Sequence, residues 1–316
     1  MTRPVFDADH EALRESVARF FTTVDPGHFF GAAAELGFVG LADEDVRFRA
    51  VVLEEAMAAG HPAVALALAM HDSFALPLLG RPLRGAAAVA DSDGVRAAVV
   101  GDDWTLTGTA ECVVNGLGAE VIVVRASTDA ASDVLFAVSG QVVDRSPADD
   151  ILGLDELDVA DLRFDGVAAK RLDGDLVAAR SGHQLALAIA AVAGARAALR
   201  TTVAYVSERK AFGKPIASFE NTRHTLGVLG AQVAAVGTFV DSCLVGEVSP
   251  ERAAAAKLTA TELLGAVVDQ GVQLHGGYGY MWEYPISRAY AAARFFRVHG
   301  GSTADLDAVL APAVGL

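Results

Sequence analysis

The chain has 316 residues, enough for two or three packed units, and its 53% hydrophobic content can fill a large core. A net charge of −15, from 40 acidic against 25 basic residues, argues against nucleic acid and against a membrane surface as partners, since both call for clustered positive charge. The two cysteines, Cys112 and Cys243, make neither a disulfide framework nor a metal motif.

The N-terminal "MTRPVFDADHEALRESVARFF" is polar and acidic, without an apolar signal core, which predicts a cytoplasmic protein. "HEALRESVARFFTTV" sets Leu13, Val17, Phe20 and Phe21 on one stripe at helical spacing. "FRAVVLEEAMAAG" and "HPAVALALAMHDSFALPLLG" continue the pattern, so residues 1–82 read as an N-terminal helical domain. The apolar runs "HPAVALALAM" and "LALAIAAVAGA" fall short of a membrane span or are rich in alanine, and are taken as buried helices.

The character changes over residues 83–175. "GVRAAVVGDDWTLTGTAECVVNGLGAEVIVVRAS" alternates, is rich in valine and breaks at Gly-Asp-Asp and Asn-Gly, predicting short antiparallel strands in a small central β domain. Residues 176–316 are helical again. "SGHQLALAIAAVAGARAALRTTVAYVSERKAFG" predicts one long helix with Ser181 as N-cap and Gly213 as stop, followed by helices at about 217–245, 250–274 and 285–299.

Two segments carry chemistry. In "YVSERKAFGKPI", Arg209 and Lys210 sit at a helix end beside Phe212 and Gly213, a set that can clamp a pyrophosphate and pack an adenine, or can simply satisfy a helix C-terminus. In "QLHGGYGYMWEYP", Gln273 closes a helix, and Gly276, Gly277 and Gly279 let the backbone approach a ligand closely, or form a tight inter-helix loop. The pair, about 65 residues apart in one helical domain, says more than either alone.

Together these segments resemble the acyl-CoA dehydrogenase family, most closely over residues 181–301. The resemblance implies an α+β fold with an N-terminal helical domain, a small central β domain and a C-terminal four-helix bundle. It also implies FAD shared across a subunit interface: Arg209 and Phe212 would meet the pyrophosphate and adenine of a neighbour's FAD, and Gln273, Gly276 and Gly277 would complete that pocket. Glu220 falls where the family usually has a glutamine, and an acid is unhelpful beside pyrophosphate.

The departures from the family pattern are concentrated. Members abstract a proton from the carbon next to a thioester carbonyl while hydride passes to flavin, and the weak acidity of that carbon calls for a positioned carboxylate. Against the family's "YEGT"-like loop, "HGGS" places His299 for the tyrosine and Gly300 for the glutamate, so the usual catalytic position holds no base. Some relatives take the base from the long helix, where His183 falls; a solvent-facing histidine in a first helical turn is the plainer reading. His183 and His299, with Glu283 and Asp305 behind them, are the substitute candidates. On the flavin-facing strand, "ECVVNG" has Cys112 for the family's tryptophan and Val114 for its threonine; Cys112 reads as a buried strand residue, since nothing cationic flanks it. The TEPxAGSD-like strand is missing from a region too short to hold it, as is the glycine-rich loop before "FRAVVLEEAMAAG".

The resemblance therefore implies a subunit that lacks its own base and lends the ADP half of an FAD site to a full-length acyl-CoA dehydrogenase partner acting on an acyl-CoA, bulky or steroid-type thioesters included. Electron-transfer flavoprotein would be the redox partner. The alternatives are a self-sufficient homo-oligomeric flavoenzyme with an unusual base, a cofactor-free scaffold, and a flavin monooxygenase on the same scaffold.

Overall fold

The computed structural model describes residues 3–24, 29–41, 45–83, 85–148 and 151–315. Helix α1 (Ala8–Phe21) starts at a capping box in which the Asp7 carboxylate accepts from the His10 N–H and the His10 ring faces back to the Asp7 backbone. Short α2 (Phe29–Glu35) leads to α3 (Val46–Ala58) and α4 (Pro62–Met70), the latter with Pro62 in its first turn. One π-helical turn, His71–Ala75, joins α4 to α5 (Leu76–Leu79), which stops where Gly80 turns left-handed at φ 60°.

The strands follow as β1 (Ala87–Ala90), β2 (Val95–Val100), β3 (Asp103–Val114), β4 (Val121–Ala126), β5 (Val134–Ser139), β6 (Asp144–Pro147) and β7 (Val159–Leu172). They form one sheet in the order β1-β4-β5-β7-β3-β2, with β6 on β7. The β1–β4 pair is parallel, where antiparallel strands alone were expected. Strand β4 is apolar at successive positions because both its faces are covered: Val121 and Val123 join the main core with the helices, and Ile122 and Val124 a second core on the far side.

Helix α6 (Leu176–Glu208) begins five residues before the expected cap, with the Asp175 carboxylate accepting from the Ala178 N–H. Ser181 is thus inside the helix and donates to the Val177 carbonyl. The helix also ends before Gly213, at Glu208; its 33 residues span about 50 Å. Helices α7 (Glu220–Leu244), α8 (Pro250–His275) and α9 (Pro285–Val298) pack with it, and α10 (Thr303–Leu310) closes the described chain's helices. The helical–sheet–helical arrangement is the α+β fold that the sequence implied.

The apolar runs are longer than the sequence suggested. Pro62–Leu79, α6 and α7 each have the length and hydropathy to cross a membrane, and 83%, 67% and 28% of their most apolar windows are buried within the protein. The two former are core helices. Helix α7 keeps much of its apolar surface outward.

Candidate functional site

The ends of α6 and α8 meet at one surface pocket. Helix α6 gives way to extended backbone at Arg209, and the chain turns through a small hairpin of β8 (Lys210–Ala211) and β9 (Lys214–Pro215). Helix α8 stops because Gly276 adopts φ 60°, a conformation that costs glycine little. Tyr205 ties the two ends together: its ring stacks on His275 at 4.0 Å between centroids, and its hydroxyl donates to the His275 carbonyl at 3.2 Å.

Between them lies an open pocket of about 450 Å³ whose walls include Arg209, Gln273, Gly276, Gly277 and Tyr278. The Arg209 guanidinium lies 5.2 Å from the Tyr278 ring centre, and among the described residues it has no carboxylate partner. A side chain at Gly277 would meet nothing of this chain within 4 Å, so the protein's own packing does not demand a glycine there. An unpaired guanidinium, a carboxamide and a bare backbone make a binding surface for a phosphate-bearing ligand. Four of the five expected cofactor residues are brought together here.

The fifth is not. Phe212 stands 97% exposed on the hairpin turn at φ 51° and does not line the pocket. It sits on the tight turn forced by Gly213, which swings it outward. Glu220 begins α7, exposed and outside the pocket walls.

A second cleft, of about 600 Å³, opens between the sheet and the C-terminal helices; its walls include Asp91, Cys112, Val114, His183, His299 and Gly300. Arg180 and Arg125 bracket Asp91, Arg180 Nε at 2.7 Å and Arg125 Nε at 2.6 Å. Burial works against the Asp91 charge, but the two guanidiniums prevail and hold its carboxyl below the usual range. Arg125 also meets Asp93 and Asp133. Both cations on the cleft wall are therefore matched, while Asp93, Glu111 and Asp305 add negative charge. This cleft does not fit the phosphates of a nucleotide in the way the surface pocket does.

His183 is not the solvent-facing histidine expected. The earlier start of α6 carries it into the second turn, where it is 1% exposed and stacked on Phe74. Its Nδ1 donates to the Ala69 carbonyl at 3.1 Å, and its Nε2 meets His299 Nε2 at 3.1 Å. Burial lowers the pKa of His183 to about 4; burial, with His183 and Lys257 adding to it, puts His299 well below 6.5. Both rings are neutral at pH 7.

Gly300 is closed as well as bare. With φ 70°, a Cβ there would stand 2.5 Å from Leu187 Cδ1 and 3.2 Å from His183 Cδ2. The surrounding turn is held from two sides: Gln184 donates to the Gly300 carbonyl at 3.3 Å, and the fully buried Lys257 ammonium donates to the carbonyls of Arg297 and Gly301. Nothing in the sequence singled out Lys257, because an alanine-rich helix gives no hint of which lysine turns inward.

One further expectation is corrected, and the two acids named behind the histidines can be placed. Cys112 is exposed on the cleft wall at φ 54°, where β3 slips register against β7 between Ala110 and Val113, and is not a buried strand residue. Asp305 lines the cleft but is committed to the α10 cap, where the Ser302 hydroxyl and N–H hold its carboxyl below the usual range. Glu283 is exposed and outside the cleft walls.

Residues 181–313 match the family described as acyl-CoA dehydrogenase, C-terminal domain. The long-chain specific acyl-CoA dehydrogenase of Sus scrofa mitochondria is 29% identical over 98% of this chain and 87% of that enzyme. The Rattus norvegicus enzyme of the same name is 33% identical over 70% of this chain, and the match spans 57% of that enzyme. Among solved structures, an acyl-CoA dehydrogenase from Geobacillus kaustophilus superposes over 100% of both chains with a TM-score of 0.91 at 24% identity. A glutaryl-CoA dehydrogenase from Mycobacterium smegmatis in complex with FADH2 has a TM-score of 0.90 at 18% identity, over 98% of this chain and 95% of that one.

Proposed function

This chain belongs to the acyl-CoA dehydrogenase family, and on that premise we propose that it is a subunit which lends the ADP half of an FAD site to a full-length partner subunit. The partner carries out α,β-dehydrogenation of an acyl-CoA, bulky thioesters of the steroid type included. The observation that carries the reading is the contrast between two places. Arg209 has no carboxylate partner among the described residues and stands in an open pocket with Gln273, Gly276 and Gly277, whereas Gly300 is packed against His183 and Leu187.

The fit to the cofactor is correspondingly split. FAD supplies a hydride acceptor where it is bound whole. This chain's part is to hold the nucleotide tail: Arg209 and Gln273 would bind and orient it, and the glycine backbone would let it come close. In the chain's own cleft, Cys112 and Val114 offer no hydroxyl, and neither arginine is free to meet a phosphate.

The location of the pocket supports a partner across it. Tyr278, Tyr280 and Trp282 are exposed on the loop that follows α8, Phe212 is exposed on the β8–β9 hairpin, and α7 leaves most of its apolar surface outward. A hetero-oligomer would cover both. Electron-transfer flavoprotein is then expected to dock on the assembled pair, in the cytoplasm.

The test is expression of the chain alone and together with a full-length acyl-CoA dehydrogenase subunit from the same genome. The expected result is a colourless single chain and a yellow complex with one FAD per pair of subunits. A soluble, yellow and active single chain would overturn the partner requirement.

A further inference from the structure

Helix α10 is fastened to the protein by very little. Of its eight residues only Leu306 is buried, and none of its side chains belongs to either apolar core. The helix is complete in itself: the Ser302 hydroxyl accepts from the Asp305 N–H and the Asp305 carboxylate from the Ser302 N–H, so the cap travels with the helix. On the other side of the turn the chain is anchored as far as His299. That ring is stacked on Phe295 of α9 at 5.2 Å between centroids and meets His183 of α6 at 3.1 Å. Between the anchored and the lightly held chain stand two glycines, Gly300 at φ 70° and Gly301 at φ 109°. Neither carries the Cβ that narrows backbone rotation, so a change of direction meets least resistance here.

Side chains hold the turn. Among the described residues no backbone hydrogen bond joins Gly300 or Gly301 to another element. Gln184 donates to the Gly300 carbonyl, and Lys257, fully buried on α8, donates to the carbonyls of Arg297 before the glycines and Gly301 after them. One ammonium therefore spans the hinge. Gly300, Gly301 and Asp305 are also walls of the cleft of about 600 Å³, so a swing of α10 about this point widens it. We propose that α10 is a flap on this cleft, hinged at Gly300 and Gly301 and latched by Lys257.

The charge on Lys257 sets how firmly the flap is held. Glu262 on its own helix, Arg297 on α9 and Asp305 on α10 face it as charges, while His183 on α6 and His299 in the turn are neutral. None of these five changes charge between pH 8 and pH 10. With the flap closed, burial brings the Lys257 pKa from 10.5 down to about 8. Opening breaks the Gly301 contact and admits water, which returns the pKa toward 10.5. The open form thus binds the proton more tightly than the closed form, and raising the pH from 8 to 10 favours closure. At neutral pH the buried ammonium leaves the flap at its loosest.

The experiment uses the full single chain carrying Cys112→Ser, with Leu306→Cys to place a thiol beneath the flap. Cys243, 1% exposed in α7, is the internal clock for global unfolding. Alkylation by iodoacetamide is followed by peptide mapping, and each rate is divided by that of a free thiol at the same pH. At pH 8 the thiol at position 306 is expected to react at least about a hundredfold faster than Cys243, and its normalised rate to fall at least about fivefold by pH 10. Lys257→Met, folded by circular dichroism, is expected to raise the rate at 306 and to abolish its pH dependence. Equal rates at 306 and 243 would mean that α10 leaves only when the whole chain unfolds. A pH dependence that survives in Lys257→Met would mean that Lys257 is not the latch. Either result overturns the proposal. Because Leu306→Cys itself loosens the helix, the unsubstituted chain is also followed by hydrogen exchange at pH 7, where residues 303–310 are expected to open as one unit ahead of α8 and α9. Exchange graded inward from residue 310 would be end fraying and would overturn the flap. No readout involves FAD or a partner, so the nucleotide-lending reading stands or falls on its own test of colour and stoichiometry.

Discussion

His183 and His299, 116 positions apart, meet nitrogen to nitrogen at 3.1 Å beside Gly300. A Cβ at 300 would stand 2.5 Å from the Leu187 Cδ1 methyl and 3.2 Å from the His183 ring, so any side chain there would have to displace the end of Leu187 and press on that ring.

Gly300→Glu is accordingly expected not to create a dehydrogenase. The new Cβ would collide with Leu187, and the left-handed backbone at φ 70° would be strained. Together these cost about 2–4 kcal/mol. Urea unfolding should show that loss, and an artificial electron acceptor should report no gain in acyl-CoA oxidation by the purified complex.

Arg209→Ala is expected to weaken FAD retention by the complex at least tenfold, since a charge-assisted contact contributes about 1.5–3 kcal/mol. The melting temperature of the chain alone should stay within a degree, because the side chain is exposed and has no ion-pair partner among the described residues. Flavin released on dilution, followed by fluorescence, measures the first; thermal unfolding without flavin measures the second.

Lys257 should make stability rise with pH in alkali. Burial brings its pKa down from 10.5 to about 8. Between those values the unfolded chain binds the proton and the folded chain does not, so raising the pH favours folding by at most about 1.4 kcal/mol per unit. The slope should vanish in Lys257→Met. That variant should also be about 2–4 kcal/mol less stable at pH 7, since it strips the Arg297 and Gly301 carbonyls of a donor.

On the acid side the sign is the same, so stability falls as the pH is lowered. Burial lowers His71 and His183 from 6.5 to about 4. The unfolded chain gains protons first as the pH falls, and each histidine removes about 2 kcal/mol of stability by pH 5. Asp72 opposes this in part, because burial raises its pKa to about 6 and favours the folded, protonated form as the pH drops through that value. A net loss between pH 7 and pH 5 is expected in urea titrations, shallower in His183→Gln.

How far the sequence could be read depended on the range of the interactions involved. The helices after α6 lay within a few residues of their expected bounds because period and flanking Pro or Gly are local signals. The start of α6 was misplaced because Ser181, an ordinary capping residue, happens to lie one turn inside a helix already capped by Asp175. That short shift decided the fate of His183, which moved from the surface to a contact with His299. The pocket of Arg209 and Gln273 was legible from its two motifs; the inward Lys257 and the bracket of Arg125 and Arg180 around Asp91 were not, since long-range pairing leaves no local pattern.

Cys112 offers a check on the geometry of the cleft wall. It is exposed, yet partial burial and then the carboxylates of Asp161 and Glu111 push its thiol above the ordinary value of 9.0. The thiolate is the reactive form, so exposure without ionisation makes a slow nucleophile. Modification by iodoacetamide at pH 7.5 should be about tenfold slower than that of a free thiol and should accelerate up to pH 10. Cys243, 1% exposed on the inner face of α7, should stay unlabelled until the chain is unfolded. Peptide mapping separates the two sites. Rapid labelling of Cys112 at neutral pH would mean that the acidic wall of the cleft, and with it the case against a nucleotide phosphate there, is wrong.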